Sequence, residues 1–329
     1  MGMVQQWLRI KVNVETACKG QVTAPHRHEM KPRGNDDVRV GKSCRRQIPG
    51  DLGLITGVGF MSWPPDEGSN TTSSNEPMFN LPSVITALIA LMVVMQLVLV
   101  FGSENFATTV LLDWSFIPAR FASALGLDPL TALQQARGAA LTGEESMVMN
   151  FLVEEAQMRP WTLLTYAALH GSWEHLFLNA VWLAAFGAPL ARRIGAERFL
   201  MLFGLSVIGG AALHFALNWF DAMPLVGASA GIAGVMASAS LFMFQPGAPL
   251  SGNLLRVKEG FNPKALRLRE VWRDRRVMWF LGLWLGLNLL TGLFSLTPGG
   301  GAGPIAWEAH LGGFITGLLA FRRFDPWSS

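Results

Sequence analysis

Polar and apolar positions are segregated along this chain. Residues 1–77 are polar and rich in Gly and Pro, with runs such as PRGNDD and SNTTSSNEP and no clear periodicity. Such a composition buries too little apolar surface to offset the entropy of ordering, and it predicts a weakly ordered extension. From Leu81 the character changes. Six stretches reach or approach the about 20 apolar residues that a membrane-spanning helix needs: 81–102, 174–191, 199–220, 225–246, 277–298 and 305–321. They contain two charged residues, Glu174 and Glu308, each near the start of its stretch. In hydrocarbon every backbone N–H and C=O has to be paired within its own segment, so these runs predict helices. A soluble bundle with six such runs would be implausibly apolar. The pattern therefore predicts an all-α membrane protein, a six-transmembrane-helix bundle over residues 78–325 with a polar extension over 1–77.

Composition agrees with that division. Of 329 residues, 50% are hydrophobic and 15% charged, against about 25% charged in ordinary soluble domains. The net charge of +3 comes from basic residues that are not gathered into one patch, so no nucleic-acid partner is expected. Cys18 and Cys44 both lie in the extension, leaving neither a disulfide framework nor a four-thiolate zinc site. The extension lacks an early apolar core, so no cleavable signal peptide is expected. Its contrast with the rest makes Met61 and Met78 alternative candidate starts.

Lys and Arg set the orientation. Segment 192–198 carries Arg192, Arg193 and Arg198; segment 247–276 carries eight basic residues; the tail adds Arg322 and Arg323. The opposite side has Arg120, Arg137 and Arg159, all in the long loop 103–161. Thirteen against three predicts both termini in the cytoplasm and a multi-pass protein of the plasma (inner) membrane, with the lipid bilayer as its surroundings. The long first outer loop is read either as containing an interfacial helix, from its WSFIPARFASAL segment, or as an ordinary loop packed on the bundle.

Against this apolar background the polar residues stand out. His175 opens the second stretch, Ser229 lies early in the fourth within Gly227-Ala-Ser229-Ala-Gly231, and His310 lies early in the sixth. Asn179 follows His175 by four residues and shares its helical face. All four fall toward the outer leaflet, and polar groups in lipid are costly and usually functional. A serine hydroxyl becomes a nucleophile when a neighbouring base takes its proton, a task suited to neutral histidine. Ser229 with His310 forms such a candidate pair. The unsatisfied N–H groups of a helix start near Ser229, together with His175 and Asn179, are candidate donors for an oxyanion.

Other readings use the same residues. G-x-S-x-G also marks the nucleophile elbow of soluble α/β-hydrolases, with Asp274 and His310 following in order, but that motif needs a preceding strand and alternating βα units. Ser229, Gly227, Gly231, Gly313 and Gly317 also suit close helix packing. His214, toward the outer half of the third stretch, is a possible partner of His310 in haem binding or proton transport.

In combination these motifs make the chain resemble the rhomboid family of intramembrane serine proteases. His175-Leu-Phe-Leu-Asn179 resembles the family's H-x-x-x-N, Gly227-Ala-Ser229 its G-x-S, and Ala309-His310-Leu-Gly-Gly313 with Gly317 its A-H-x-x-G and GxxxG. The resemblance covers about residues 80–322. It implies Ser229 as nucleophile, His310 as general base, and His175 and Asn179 as oxyanion stabilisers, with no metal or other cofactor. It implies single-pass transmembrane proteins as substrates, cut in or near their membrane helix. The fifth stretch and Gly299–Gly303 are then a lateral gate and a cap. The chain departs from the family at Ala233, where many relatives place an aromatic ring against the catalytic histidine, so His310 requires another means of orientation. It departs again at Trp161-Thr162, where many relatives have Trp-Arg. The alternative function is a catalytically inactive rhomboid-like scaffold or chaperone that binds transmembrane helices.

Overall fold

The computed structural model describes residues 81–137, 143–154, 157–245, 248, 264–293 and 306–327. The extension 1–77, residues 294–298 of the fifth stretch and the proposed cap at 299–303 lie outside the described residues. Where described, the chain is helical, and its one extended pairing is a bridge between Phe116 and Leu225.

The first apolar stretch forms α1 (Ser83–Phe101), and the long loop forms α2 (Glu104–Trp114), α3 (Pro118–Ala124), α4 (Pro129–Arg137), α5 (Gly143–Glu154) and α6 (Thr162–Thr165). The second stretch comprises α7 (Trp173–Trp182), a wide turn at Leu183–Gly187 and α8 (Ala188–Ile194). Then come α9 (Ala196–Asn218), α10 (Ser229–Met243), α11 (Leu268–Val271), α12 (Arg275–Leu293) and α13 (Trp307–Phe324). Each predicted stretch thus contains a helix, the fourth only from Ser229 onward. By length and composition α1 and α9 are suited to cross a membrane, and α10 is a shorter apolar helix. The exteriors of α1 and α9 are apolar as well: Leu91, Val94 and Val100 on α1 and Leu200, Met201 and Leu205 on α9 are exposed. A continuous apolar exterior is unfavourable in water and favourable in lipid, the surface of a membrane protein.

The wide turn has a local cause. Pro189 stands in the first turn of α8, where it has no N–H to give the carbonyl four residues back and its ring crowds that carbonyl. Widening the preceding turn to a π-type geometry lets the helix continue.

Helix α10 is buried on every side from Ala230 to Met243, so it forms the centre of the bundle. Its neighbours come close because the facing residues are small. A methyl group at Gly313 or Gly317 on α13 would strike the backbone of Ala230 or Gly234 on α10. One at Gly231 would strike the Phe203 ring and Val207 on α9. Ser238 donates to the carbonyls of Gly234 (2.8 Å) and Gly317 (3.0 Å), fastening α10 to α13. At the far end, buried Arg193 makes a two-pronged pair with Asp325 at 2.9 and 3.0 Å, and its guanidinium lies 4.6 Å from the Phe242 ring centre.

The long loop after α1 packs on the bundle. Phe116 and Leu225 exchange backbone hydrogen bonds, and Ala119 N–H donates to Asp221 (2.9 Å). Phe116 and Phe121 meet Phe215 of α9 edge to face. Arg120 is buried and donates to the Leu112 and Ser115 carbonyls. Arg159 pairs with Asp113, and Trp161 donates its indole N–H to the Asp113 carbonyl. Trp161 thus ties the start of α6 to the end of α2.

Candidate active site

The turn before α10 holds the first functional side chain in place. Gly227 has φ +115°, a conformation that side chains rarely adopt. Its N–H donates to the Tyr166 carbonyl (3.0 Å), while the Tyr166 hydroxyl donates to the Val207 carbonyl (2.8 Å). A Cβ at Gly227 would lie 2.7 Å from Cε1 and 2.8 Å from Nε2 of His175, so this turn rests directly against that imidazole. Ser229 follows as the first residue of α10. Its N–H belongs to the first turn, where backbone donors have no partner within the helix and the dipole favours negative charge.

His310 lies in the first turn of α13. Its Nε2 is 2.7 Å from Ser229 Oγ, and its Nδ1 is 2.6 Å from Oδ1 of Asn288 on α12. The Asn288 amide nitrogen donates to the Trp307 carbonyl (3.2 Å). Because a carbonyl only accepts, this bond turns the amide so that its oxygen faces His310. The oxygen in turn only accepts, so Nδ1 carries the proton and Nε2 is left with a lone pair toward the serine hydroxyl. Both Ser229 and His310 are half-buried, within reach of the adjoining cavity.

The cavity measures about 570 Å³ and is lined by Ser229, His310, His175, Asn179 and Asn288, with Trp284 and Met236 among its apolar walls. Ser172 caps α7 by accepting from the His175 N–H (3.1 Å), which sets where that helix begins. One turn on, Asn179 is buried, and its amide nitrogen has no hydrogen-bond partner among the described residues. A buried donor without an acceptor is costly; here it belongs to a residue that lines the same cavity as the serine. His170 packs its ring against His175, centres 5.1 Å apart.

The four predicted polar residues Ser229, His310, His175 and Asn179 thus line one cavity, and Gly227, Gly231, Gly313 and Gly317 each stand at a close approach. Two of the other readings do not fit. Asp274 accepts from the N–H groups of Arg276 and Val277 and from Gln245, at the start of α12, and Ser229 is preceded by a turn rather than a strand. His214 faces Glu308 (3.7 Å) and Asn218 (3.5 Å) rather than His310, whose two ring nitrogens are engaged by Ser229 and Asn288. Ala233 lines the cavity, and the group at His310 Nδ1 is Oδ1 of Asn288. Sequence reasoning missed Asn288. Its only signal was that it is the single amide in the apolar run of α12.

Comparison with known proteins places these observations. The model of the Rhomboid domain matches residues 157–324, about half of the chain. Over 129 residues the chain is 33% identical to Rhomboid-related protein 3 of Homo sapiens, a stretch that covers 37% of this chain and 31% of that protein.

Proposed function

Because this chain belongs to the rhomboid family, we propose that it is an intramembrane serine endopeptidase that cleaves single-pass membrane proteins in or near their transmembrane helix. The observation that carries the proposal is the 2.7 Å approach of His310 Nε2 to Ser229 Oγ beside a cavity. In this reading His310 accepts the serine proton as Oγ attacks the scissile carbonyl carbon. The carbonyl oxygen becomes an oxyanion, stabilised by the Ser229 N–H, the Asn179 amide and His175. His310 then passes its proton to the leaving amine, the peptide bond breaks, and an ester remains on Ser229. Water, deprotonated by the same imidazole, attacks that ester and restores the hydroxyl. None of these steps calls on a metal ion or ATP.

Asn179 supports the reading because its unpaired amide N–H is costly in the resting protein and acquires an acceptor when negative charge develops. Favourable energy gained only at that moment lowers the barrier rather than merely tightening substrate binding. The half-buried position of the dyad lets water enter for the second step.

In this reading residues 78–325 lie in the membrane as the protease domain with six crossings, and residues 1–77 and the C-terminus are both cytoplasmic. The protein is assigned to the plasma membrane, on the positive-inside asymmetry. Substrate helices approach from the bilayer past α12.

The test is cleavage of a labelled single-pass substrate by the protein reconstituted in liposomes. Wild-type protein should cleave it, and Ser229→Ala and His310→Ala should each reduce cleavage to background. Cleavage that survives either change refutes the dyad. A wild-type protein that binds transmembrane helices without cutting them is instead the inactive scaffold.

A further inference from the structure

The apolar run of α12 contains one amide, Asn288. An amide in such a helix is expensive unless both of its ends are satisfied. Here both are, by the Trp307 carbonyl on one side and His310 Nδ1 on the other. Asn288 thereby sits in a relay with the general base in the middle: amide oxygen, imidazole, serine hydroxyl, with separations of 2.6 and 2.7 Å. Resting on the protease reading above, we infer that Asn288 is a positioning residue. It holds His310 in the tautomer and ring orientation that expose the Nε2 lone pair to Ser229.

Three physical consequences follow. Neutral imidazole has two tautomers, and only the one protonated at Nδ1 can accept the serine proton at Nε2. An acceptor at Nδ1 selects that form before substrate arrives. The same hydrogen bond strengthens when the ring becomes cationic, because bonds to ionised donors exceed neutral ones. It therefore favours the state in which His310 has taken up the proton. Asn288 also reaches the ring from a different helix, so the restraint holds only while α12 stays packed against the start of α13.

Asn288 is neutral, which distinguishes the arrangement from one with a carboxylate behind the histidine. It orients the base without adding negative charge to the apolar interior. Burying an uncompensated carboxylate there would cost far more than burying an amide. The aromatic side chain absent at Ala233 would contact the ring face; Asn288 instead acts at the ring edge and also decides which nitrogen carries the proton.

Two substitutions in the full-length protein, reconstituted with the labelled substrate, test the assignment. Asn288→Ala should lower kcat by about 10- to 100-fold with KM nearly unchanged, because the lost bond is to a group that becomes charged in the transition state. Asn288→Leu keeps about the volume of the side chain and removes its acceptor, so kcat should fall to the same degree with KM and thermal stability held. A merely structural role for Asn288 would be filled by leucine, and kcat would stay at the wild-type level.

The outcomes separate the two levels of the argument. If wild-type protein cleaves through Ser229 but Asn288→Ala or Asn288→Leu keeps kcat within about twofold, the positioning role is overturned and the protease reading stands. If wild-type protein does not cleave, the protease reading falls and the positioning role with it. Should Asn288→Ala not fold, the kcat of Asn288→Leu decides alone.

Discussion

Gly313→Ala adds a single methyl group where α13 crosses α10, and the geometry allows its effect to be worked through. An ideal Cβ there lies 2.7 Å from the Ala230 carbonyl carbon and 3.0 Å from its Cα, with the carbonyl oxygen nearer still. Ordinary contact begins at 3.4 Å, so relieving the carbon contact alone takes 0.7 Å, the difference between 3.4 and 2.7 Å. Backbone atoms cannot rotate aside as a flexible side chain can, so the two helices have to part. Ala230 is bonded to Ser229, and Gly313 lies one turn beyond His310 on the same face. The separation thus opens at the dyad itself. A distance of 2.7 Å would grow to about 3.4 Å, outside the range of about 2.6–3.2 Å in which a base takes a hydroxyl proton. Misplacement of about 1 Å costs about a hundredfold in rate, so kcat should fall by about 10- to 100-fold. Overpacking of this kind costs about 1–3 kcal/mol of stability. Turnover of a reconstituted transmembrane substrate reads the first effect, and thermal unfolding in detergent reads the second. Gly282→Ala on α12 is the control, because a methyl group there meets nothing within 4 Å. A folded Gly313→Ala protein that turns over like wild type would show that the close α10–α13 contact does not hold the dyad together.

Two further outcomes are expected. Asn179→Ala removes the unpaired buried donor of a residue that lines the cavity, and kcat should fall by about 10²–10³-fold while thermal stability holds or rises slightly; an unchanged kcat removes Asn179 from the oxyanion site. Asp325→Ala leaves Arg193 buried without its carboxylate, at an expected cost of about 3–5 kcal/mol that a thermal unfolding midpoint would report. Asp325 lies 15 residues beyond His310, about 22 Å along a helix, so turnover per folded molecule should be unaffected. A loss of turnover without a loss of stability would contradict that separation.

What local chemistry writes into a chain could be read directly. The apolar runs announced the helices because hydropathy and helical period are properties of a continuous segment, and each of the six stretches contains a helix. Ser229, His310, His175 and Asn179 stood out because polar side chains are conspicuous against apolar neighbours, and they line one cavity. The same rule failed at Asn288, equally conspicuous within α12, because nothing local told what its amide faced. Its partner lies 22 residues away on another helix.

The tertiary arrangement alone decided three things. It put the Asn288 oxygen at His310 Nδ1, and thereby the tautomer. It turned Arg193, which sequence counts simply as a charge flanking the second stretch, into a buried partner of Asp325. It also revealed which glycines face which backbone, so that Gly313 sets the depth at which two helices cross. The physical reason is common to all three. Composition and periodicity fix which face of a helix is polar or small, but the partner of that face depends on how separate helices approach and rotate, a choice made by packing across distances that no short window of sequence contains.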